Sequence, residues 1–473
     1  VILALAILAA AANAVLTLWN PRLGILVYAG LSMVLPHPSI AGVAVPYEML
    51  GLPAILLSAG LVRRAVRHPR FHILVAAYLA LVLLSTLIGV LLHGSALSLI
   101  RVVGFLRILV LFSLFRETID GPGIEVVLLI VLLLEAAVGF AQLVIPGGAT
   151  LFSSLYAREG GAVLQRYAEM GSIPRASGTF SSPVILGSVA LVAVAMAWSR
   201  LLGGEGQRRH RWLLLAAGIT GILSITKTFL LGFPLVIAGG FIIRAVSAPG
   251  PFRFRPRRVM LAFILVLGAI GLGVWTVAYL DAQGLPVGYY LSFLADPTAA
   301  FGRRYGVGGQ LADAVSVIDE NLLIGVGLTT VRDEFLGDSL YVIMLHSTGL
   351  VGAVMATGVM SLIASRLVAA GRPLGLLVLL AFLLVGLGAN LAFKLPGALA
   401  LAYLAAIPEE GPTAGAEPRS APRSKTRSRR AAANRVRLID GREPIRCWPA
   451  RKAPAPSAGR RFGPESIGGR PRR

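Results

Sequence analysis

Apolar runs separated by short polar connections recur from Val1 to Ile407. They fall at about 1–18, 22–36, 46–62, 71–92, 96–116, 122–146, 182–199, 211–226, 229–246, 259–280, 339–363, 373–389 and 391–407. Most extend over roughly 17–25 residues, enough for a helix to cross bilayer hydrocarbon, and they lack the strict alternation of barrel strands. The second is short and reads as one arm of a tight hairpin around Asn20 and Pro21; the last two are parted only by Asn390. The pattern predicts an all-α, polytopic transmembrane bundle of about 12–13 spans over residues 1–407.

One stretch departs from it. Between Gly302 and Gly352, Leu311, Val315, Ile318 and Leu322 repeat at helical spacing, with Asp313, Asp319 and Glu320 on the other side. That is the signature of a short helix lying at a membrane surface. A glycine hinge, Gly325 and Gly327, follows, then the charged run Arg332, Asp333 and Glu334, and finally Asp338 at the mouth of the next apolar segment.

Composition agrees with the pattern: 56% of residues are hydrophobic, 14% are charged and the mean hydropathy is +0.79. A soluble globular domain carries about a quarter charged residues, so a soluble enzyme is excluded. The chain is apolar from Val1 onward without a charged leader region, and its opening reads as a span rather than a signal peptide. With Cys447 as the sole cysteine there is no internal disulfide and no thiolate metal site. No Walker glycine loop, Asp-x-Asp pair or His/carboxylate cluster points to a nucleotide, metal or other cofactor.

The net charge of +22 is unevenly placed. From Pro408 onward stand 17 Lys and Arg against 6 Asp and Glu, half of the excess. This tail, 408–473, is rich in Pro, Ala, Ser and Arg without periodicity and reads as disordered. Its natural counterpart is anionic lipid rather than nucleic acid, because basic character alone is unspecific and aromatics are few. In the remainder, short connections rich in Arg (Arg63, Arg64, Arg67 and Arg70; Arg200, Arg208, Arg209 and Arg211; Arg253, Arg255, Arg257 and Arg258; Arg366 and Arg372) mark the cytoplasmic side. Alternation then puts the connections at about 147–181, 226–228 and 281–338 outside and the tail inside. Those outer connections still carry Arg158, Arg166, Arg175, Lys227, Arg303, Arg304 and Arg332. Cations kept where topology disfavours them point to an anionic ligand at the outer face, although long translocated loops also tolerate some Arg.

Three stretches stand out in order. Arg175-Ala-Ser-Gly-Thr-Phe-Ser-Ser-Pro183 leads into a span. Ser224-Ile-Thr-Lys227-Thr-Phe-Leu-Leu-Gly232 forms a tight turn and the start of the next. The third runs from Arg303 or Arg304 through the amphipathic helix and Gly325-Val-Gly327 to Asp338-Ser-x-Tyr341 and Gly349-Leu-Val-Gly352. Together, over about 175–352, they resemble the O-antigen polymerase and ligase superfamily of bacterial envelope glycan assembly. The first stretch is similar to that family's Arg-x-x-Gly-Thr-Phe-x-x-Pro approach to a helix. In the second, Thr226-Lys227 stands where the family usually shows Ser-Arg, keeping the charge without the guanidinium fork. In the third, Asp338-Ser339 stands where the ligases carry a His-Asn pair, which looks more like the polymerase branches.

The resemblance implies an inner-membrane glycosyltransferase that moves a glycan from undecaprenyl diphosphate to a hydroxyl of another lipid-linked unit at the periplasmic face. Its partners would be that lipid-linked oligosaccharide, membrane lipid and a chain-length regulator protein. The departing diphosphate gathers negative charge, which Arg meets with planar, permanently charged donors. Arg175, Arg303 and Arg304 are the candidates for that work, with Lys227 as a further point charge, and Arg332 and Tyr341 as substrate contacts. The attacking hydroxyl needs a proton acceptor, and Asp338 is the candidate base. Each has a plainer alternative. Asp338 before an apolar run is also ordinary helix-capping chemistry, and Asp333 and Glu334 compete for its role. Arg175 is equally a helix-end anchor, and Lys227 equally a snorkelling one. Arg101 and Arg107, inside a span, either line a cavity for the lipid diphosphate or pair structurally with Glu117 or Glu135. His346 reads more as a packing residue than a ligand, and the Gly349/Gly352 pair as a site of close helix packing. Two rivals to polymerisation stand: ligation of the glycan to lipid A or a protein, and movement of a lipid-linked sugar by a flippase, although no two-halves symmetry supports the latter.

Overall fold

The computed structural model describes residues 2–36, 39–40, 43–44, 47–61, 69–93, 98–148, 151–152, 175–180, 182–247, 311–329, 339–391 and 394–407, with isolated positions between 264 and 331. The chain divides into two units, 1–413 and 414–473, and the second lies outside the described residues. Helices occupy the expected apolar segments wherever these are described. They are α1 (Ile2–Trp19), α2 (Pro21–Val34), α3 (Tyr47–Leu61), α4 (Pro69–His93), α5 (Ser98–Thr118), α6 (Gly121–Val144), α7 (Pro183–Leu202), α8 (Arg208–Ser224), α9 (Lys227–Ser247), α10 (Ala312–Glu320), α11 (Leu340–Ala369), α12 (Leu376–Gly386) and α13 (Leu395–Ala406). The segment at about 259–280 falls almost wholly outside the described residues. Among the described residues four helices, α6, α7, α9 and α11, are long and apolar enough to cross a membrane, so this is a helical membrane protein. A two-residue ladder between α2 and α3, Ser39–Ile40 against Val43–Ala44, is too small to alter the all-α class.

The helix starts are written in the sequence. Asn20, Asp120 and Ser182 each precede a proline in the first turn and accept a backbone N–H with the side chain, from Leu23, Gly123 and Val184 respectively. A polar cap meets an orphan donor and the proline needs none, so the helix begins there. Asn20 alone joins α1 to α2, as the hairpin reading expects.

At the centre lies α7, buried on nearly every face from Leu186 to Ala197 and contacted by α8, α9 and α12. Its small residues, Gly187, Ser188, Ala190, Ala193 and Ala197 among them, let neighbouring backbones approach closely. Beside it, α6 carries a polar stripe within its buried face: Glu125, Leu128, Leu132, Glu135, Gly139 and Gln142 follow the alternating three- and four-residue spacing of one helix side. Glu125, 1% exposed, anchors the end of the bundle that holds the α7–α8 connection. Its Oε1 accepts from Arg200 Nε at 2.8 Å and from the Tyr403 hydroxyl at 3.0 Å; its Oε2 meets His210 Nε2 at 2.9 Å and Arg209 at 3.2 Å. His210 Nδ1 accepts the Gln207 N–H at 3.0 Å, which leaves Nε2–H as the donor to Glu125. Arg200 also reaches Glu205 at 2.7 Å, and Arg372 joins it at 3.4 Å. One carboxylate therefore ties α6, α7, α8, α13 and, through Glu205, the connection after α11.

The stretch from Leu311 to Gly352 folds differently from its surface-helix reading. Helix α10 forms, but it packs on protein: Leu311, Ala314 and Ile318 lie against Val342 and Leu345 of α11. It ends at Glu320, which leaves Leu322 off the buried face and exposed. The two glycines beyond it are an inserted crossing rather than a hinge. At Gly349 (φ 58°, ψ −159°) α11 is interrupted, about 14 Å along its axis from Leu340 at 1.5 Å per residue. A continuous helix would bond Leu350 N–H to the His346 carbonyl and Val351 N–H to that of Ser347. Here Val326 and Gly327 N–H donate to those carbonyls, at 2.9 and 3.0 Å, while Leu350 and Val351 N–H donate to the Leu322 and Leu323 carbonyls, at 2.8 and 3.1 Å. Two lost bonds become four, which is how non-helical backbone survives at membrane depth. Helix α4 closes the other side: Ser85 Oγ donates to the Ile324 carbonyl at 3.0 Å, and Thr86 Oγ1 accepts Leu328 N–H at 3.1 Å. A Cβ on Gly349 would stand 2.4 Å from Leu323 C, and one on Gly327 2.2 Å from Thr86 Cα. Gly349 thus allows the close backbone approach its packing reading expects, with a segment inserted at a helix break rather than with a second helix.

Two outcomes follow. Glu125→Leu takes the carboxylate from Arg209 and His210 and leaves Arg200 its ion pair with Glu205, and stability in detergent should fall by about 3–5 kcal/mol, read as a lowered Tm; an unchanged Tm refutes the clamp. Gly349→Ala favours an unbroken helix and should expel the inserted segment. In a Cys447→Ser background, a thiol at Val326, 2% exposed in the native fold, should then go from protected to labelled by a soluble maleimide.

Candidate functional site

The Arg175–Pro183 loop sits at the end of the bundle opposite the Glu125 clamp, where α6 ends and α7 begins. Five consecutive backbone donors in it are all taken from within. Ala176 N–H donates to the Leu223 carbonyl at 3.1 Å and Phe180 N–H to that of Ser177 at 3.1 Å. Ser177 and Gly178 N–H both donate to Gln142 Oε1 at 3.0 Å, and Thr179 N–H to Glu135 Oε2 at 2.7 Å. Gln142 Nε2 returns a bond to the Gly178 carbonyl at 2.9 Å. The Thr179 hydroxyl lies between Glu135 Oε1 and the Met33 carbonyl. The loop is therefore no backbone nest for an anion. What it presents is the half-buried Arg175 side chain.

Glycine is obligatory within it. Gly178 has φ +62°, and a Cβ there would stand 1.8 Å from Glu135 Oε2. The Gly-Thr of the motif is thus a device for seating backbone on a buried carboxyl group.

The second stretch adjoins the first through the Ala176–Leu223 bond. Helix α8 ends at Ile225, which holds φ +42°, a left-handed conformation that a β-branched residue adopts at a cost of about 1–2 kcal/mol. Ser224 Oγ and Thr226 Oγ1 pair at 3.3 Å under Gly187 of α7, where a Cβ would fall 2.1 Å from Thr226 Oγ1. Lys227 then opens α9 and is half-buried. Thr228 faces Gly388, just beyond α12, and α12 in turn meets the start of α11. There Ser339 Oγ donates to the Gly386 carbonyl at 3.4 Å and the Tyr341 hydroxyl to that of Leu383 at 2.9 Å. The Arg175 loop, the Ser224–Lys227 turn and the Ser339–Tyr341 helix start therefore lie at one end.

Other sequence candidates are placed as follows. Tyr341 spends its hydroxyl on backbone. Arg101 lies in α5 with its side chain outside the described residues, and Arg107 is half-buried in the same helix. Arg303, Arg304, Arg332 and Asp338, with Asp333 and Glu334, fall outside the described residues. His346 is 1% exposed beside the α11 break, and its carbonyl receives the inserted Val326. Among the described residues Glu135 engages Thr179 and no arginine.

Sequence reasoning missed two participants, Gln142 and the anchoring use of Glu135, and passed over a further cation, Lys394. The last stands at the N-cap position of α13, half-buried, six residues after Gly388. Its signal was a lone cation inside the polar break between the final two apolar segments. Asn390 in that break has a buried Oδ1 without a hydrogen-bond partner among the described residues. Among the described residues, no three His, Cys, Asp or Glu side chains converge as metal ligands do. Compared with family models, curated proteins and solved structures, the chain matches none.

Gly178→Ala should cost about 1–3 kcal/mol of stability and shift the rate at which a maleimide labels a cysteine at position 175. A variant with native Tm and native labelling would show that the seat is not needed.

Proposed function

We propose that this protein is a polysaccharide polymerase of the O-antigen polymerase type. In this reading it spans the bacterial inner membrane about 12–13 times, with a large outer loop at about 281–338 and a cytoplasmic basic tail from 408. It joins polyprenyl-diphosphate-linked repeat units at the periplasmic face into an O-antigen, capsule or exopolysaccharide. The observation that carries the reading is the convergence of the Arg175 loop, the Ser224–Lys227 turn and the Ser339–Tyr341 helix start at one end of the bundle. That end is the one away from the Arg200–Arg211 cluster, which the positive-inside rule assigns to the cytoplasm.

The chemistry asked of these residues is modest. Arg175, Arg303 and Arg304, with Lys227, hold the diphosphate and meet its growing charge as the glycosidic bond breaks. Asp338 takes the proton of the attacking sugar hydroxyl. The activated donor supplies the driving force.

A second reading has an observation of its own. An interrupted helix with glycine-rich backbone inserted beside it lines the binding site of many transporters, and α11 is interrupted in that way. A lipid-linked sugar flippase is therefore the rival class, and a ligase acting on lipid A or a protein is the rival enzyme.

Reconstitution with a lipid-linked repeat unit, with products resolved by size, separates them. The polymerase reading expects a ladder that falls about 100-fold or more in Asp338→Ala and in Arg175→Ala, with protein still folded. A single product appearing only with lipid A or a protein acceptor makes it a ligase. Lipid moved between leaflets with no covalent product overturns the enzyme.

A further inference from the structure

We infer that Glu135 and Gln142, inside α6, are positioning residues for Arg175, acting through hydrogen bonds rather than through charge. This rests on the reading of Arg175 as a diphosphate-binding residue. The two side chains stand two helical turns apart on one face of α6 and are both buried. Between them they take three of the four N–H groups that follow Arg175, and the Leu223 carbonyl takes the fourth. A loop so held has one backbone path, and the direction in which Arg175 leaves it is fixed.

The carboxyl group of Glu135 contacts Thr179 by both oxygens, and among the described residues no cation pairs with it. The Thr179 hydroxyl has one hydrogen and two neighbouring acceptors, Glu135 Oε1 and the Met33 carbonyl at 2.9 Å. A glutamine at 135 fits this pattern without conflict. Its Oε1 accepts Thr179 N–H, its amide donates to Thr179 Oγ1, and the hydroxyl hydrogen goes to Met33. Glu135→Gln is therefore expected to preserve the seat that Glu135→Ala removes.

The test has two arms. In the first, Arg175→Cys in a Cys447→Ser background is labelled with a membrane-impermeant maleimide. Added Glu135→Gln should leave the rate within about twofold, and added Glu135→Ala or Gln142→Ala should raise it about tenfold or more by releasing the loop. In the second, Arg175 is kept and polymer formation from the lipid-linked donor is followed. Glu135→Ala should lower kcat per folded molecule about 100-fold with a smaller change in KM, because misplacing a group that meets transition-state charge costs turnover first, and Glu135→Gln should restore it. If Glu135→Ala is recovered unfolded, Thr179→Val removes the side-chain half of the same contact from the loop side and carries the same expectations. Labelling and kcat unchanged in the alanine variants overturn the inference, as does a glutamine variant as impaired as alanine. The labelling arm decides the seat even if no variant, wild type included, makes polymer; that result would sink the polymerase reading alone.

Discussion

In a helix surrounded by hydrocarbon, each polar atom must find a partner in the protein, since water is not there to supply one. Helix α6 puts this constraint to use three times. Glu125, Glu135 and Gln142 lie in one stripe of an otherwise apolar helix, and each recruits a different part of the chain. Glu125 gathers Arg200, Arg209, His210 and Tyr403 from three other helices. Glu135 and Gln142 gather the loop before α7. Apolar packing around α7 supplies cohesion but little specificity, because lipid tails are as apolar as leucine. The polar stripe supplies register, and it does so at both ends of one rod.

The break in α11 answers the same constraint with backbone. The helix gives up two internal bonds, and the segment after α10 replaces them from outside, locked by three positive-φ glycines and by Ser85 and Thr86 of α4. The connection from Leu322 to Thr329 is thereby drawn into the bundle and ceases to be a free loop. The Glu135–Gln142 part of the stripe and the α11 break each fix a chain segment that leads to a candidate site residue. The Arg175 loop is seated by α6, and the chain that leads to Asp338 is anchored against α11.

Much of this was legible in the sequence, and the part that was not has a physical explanation. Apolar run length located the helices, and Asn20 with Pro21 marked the α1–α2 hairpin, because both signals are local. The order of Arg175, Lys227 and Tyr341 anticipated a shared end. Partner choice was less accessible. Glu135 was placed as a possible mate for an arginine, whereas its partner is Thr179, forty-four positions away and reached only because Gly178 lacks a Cβ. Gly325, Gly327 and Gly349 advertised unusual backbone, yet glycine spacing alone does not distinguish a hinge, a packing face and an inserted crossing. Lys394 was overlooked for the opposite reason: a single lysine between two apolar segments resembles an ordinary interfacial anchor.

The proposed function rests on one cation, Arg175, at the end of a rigidly held loop, and on its binding of a lipid diphosphate. Equilibrium binding of an undecaprenyl-diphosphate-linked sugar to the detergent-purified protein, read by native mass spectrometry beside phosphatidylethanolamine as a neutral-headgroup control, tests this most directly. The diphosphate lipid should be retained in preference to the control, and Arg175→Ala should remove the preference while leaving bulk lipid binding intact. Equal retention of both lipids by the wild type, or a preference untouched by Arg175→Ala, would contradict it.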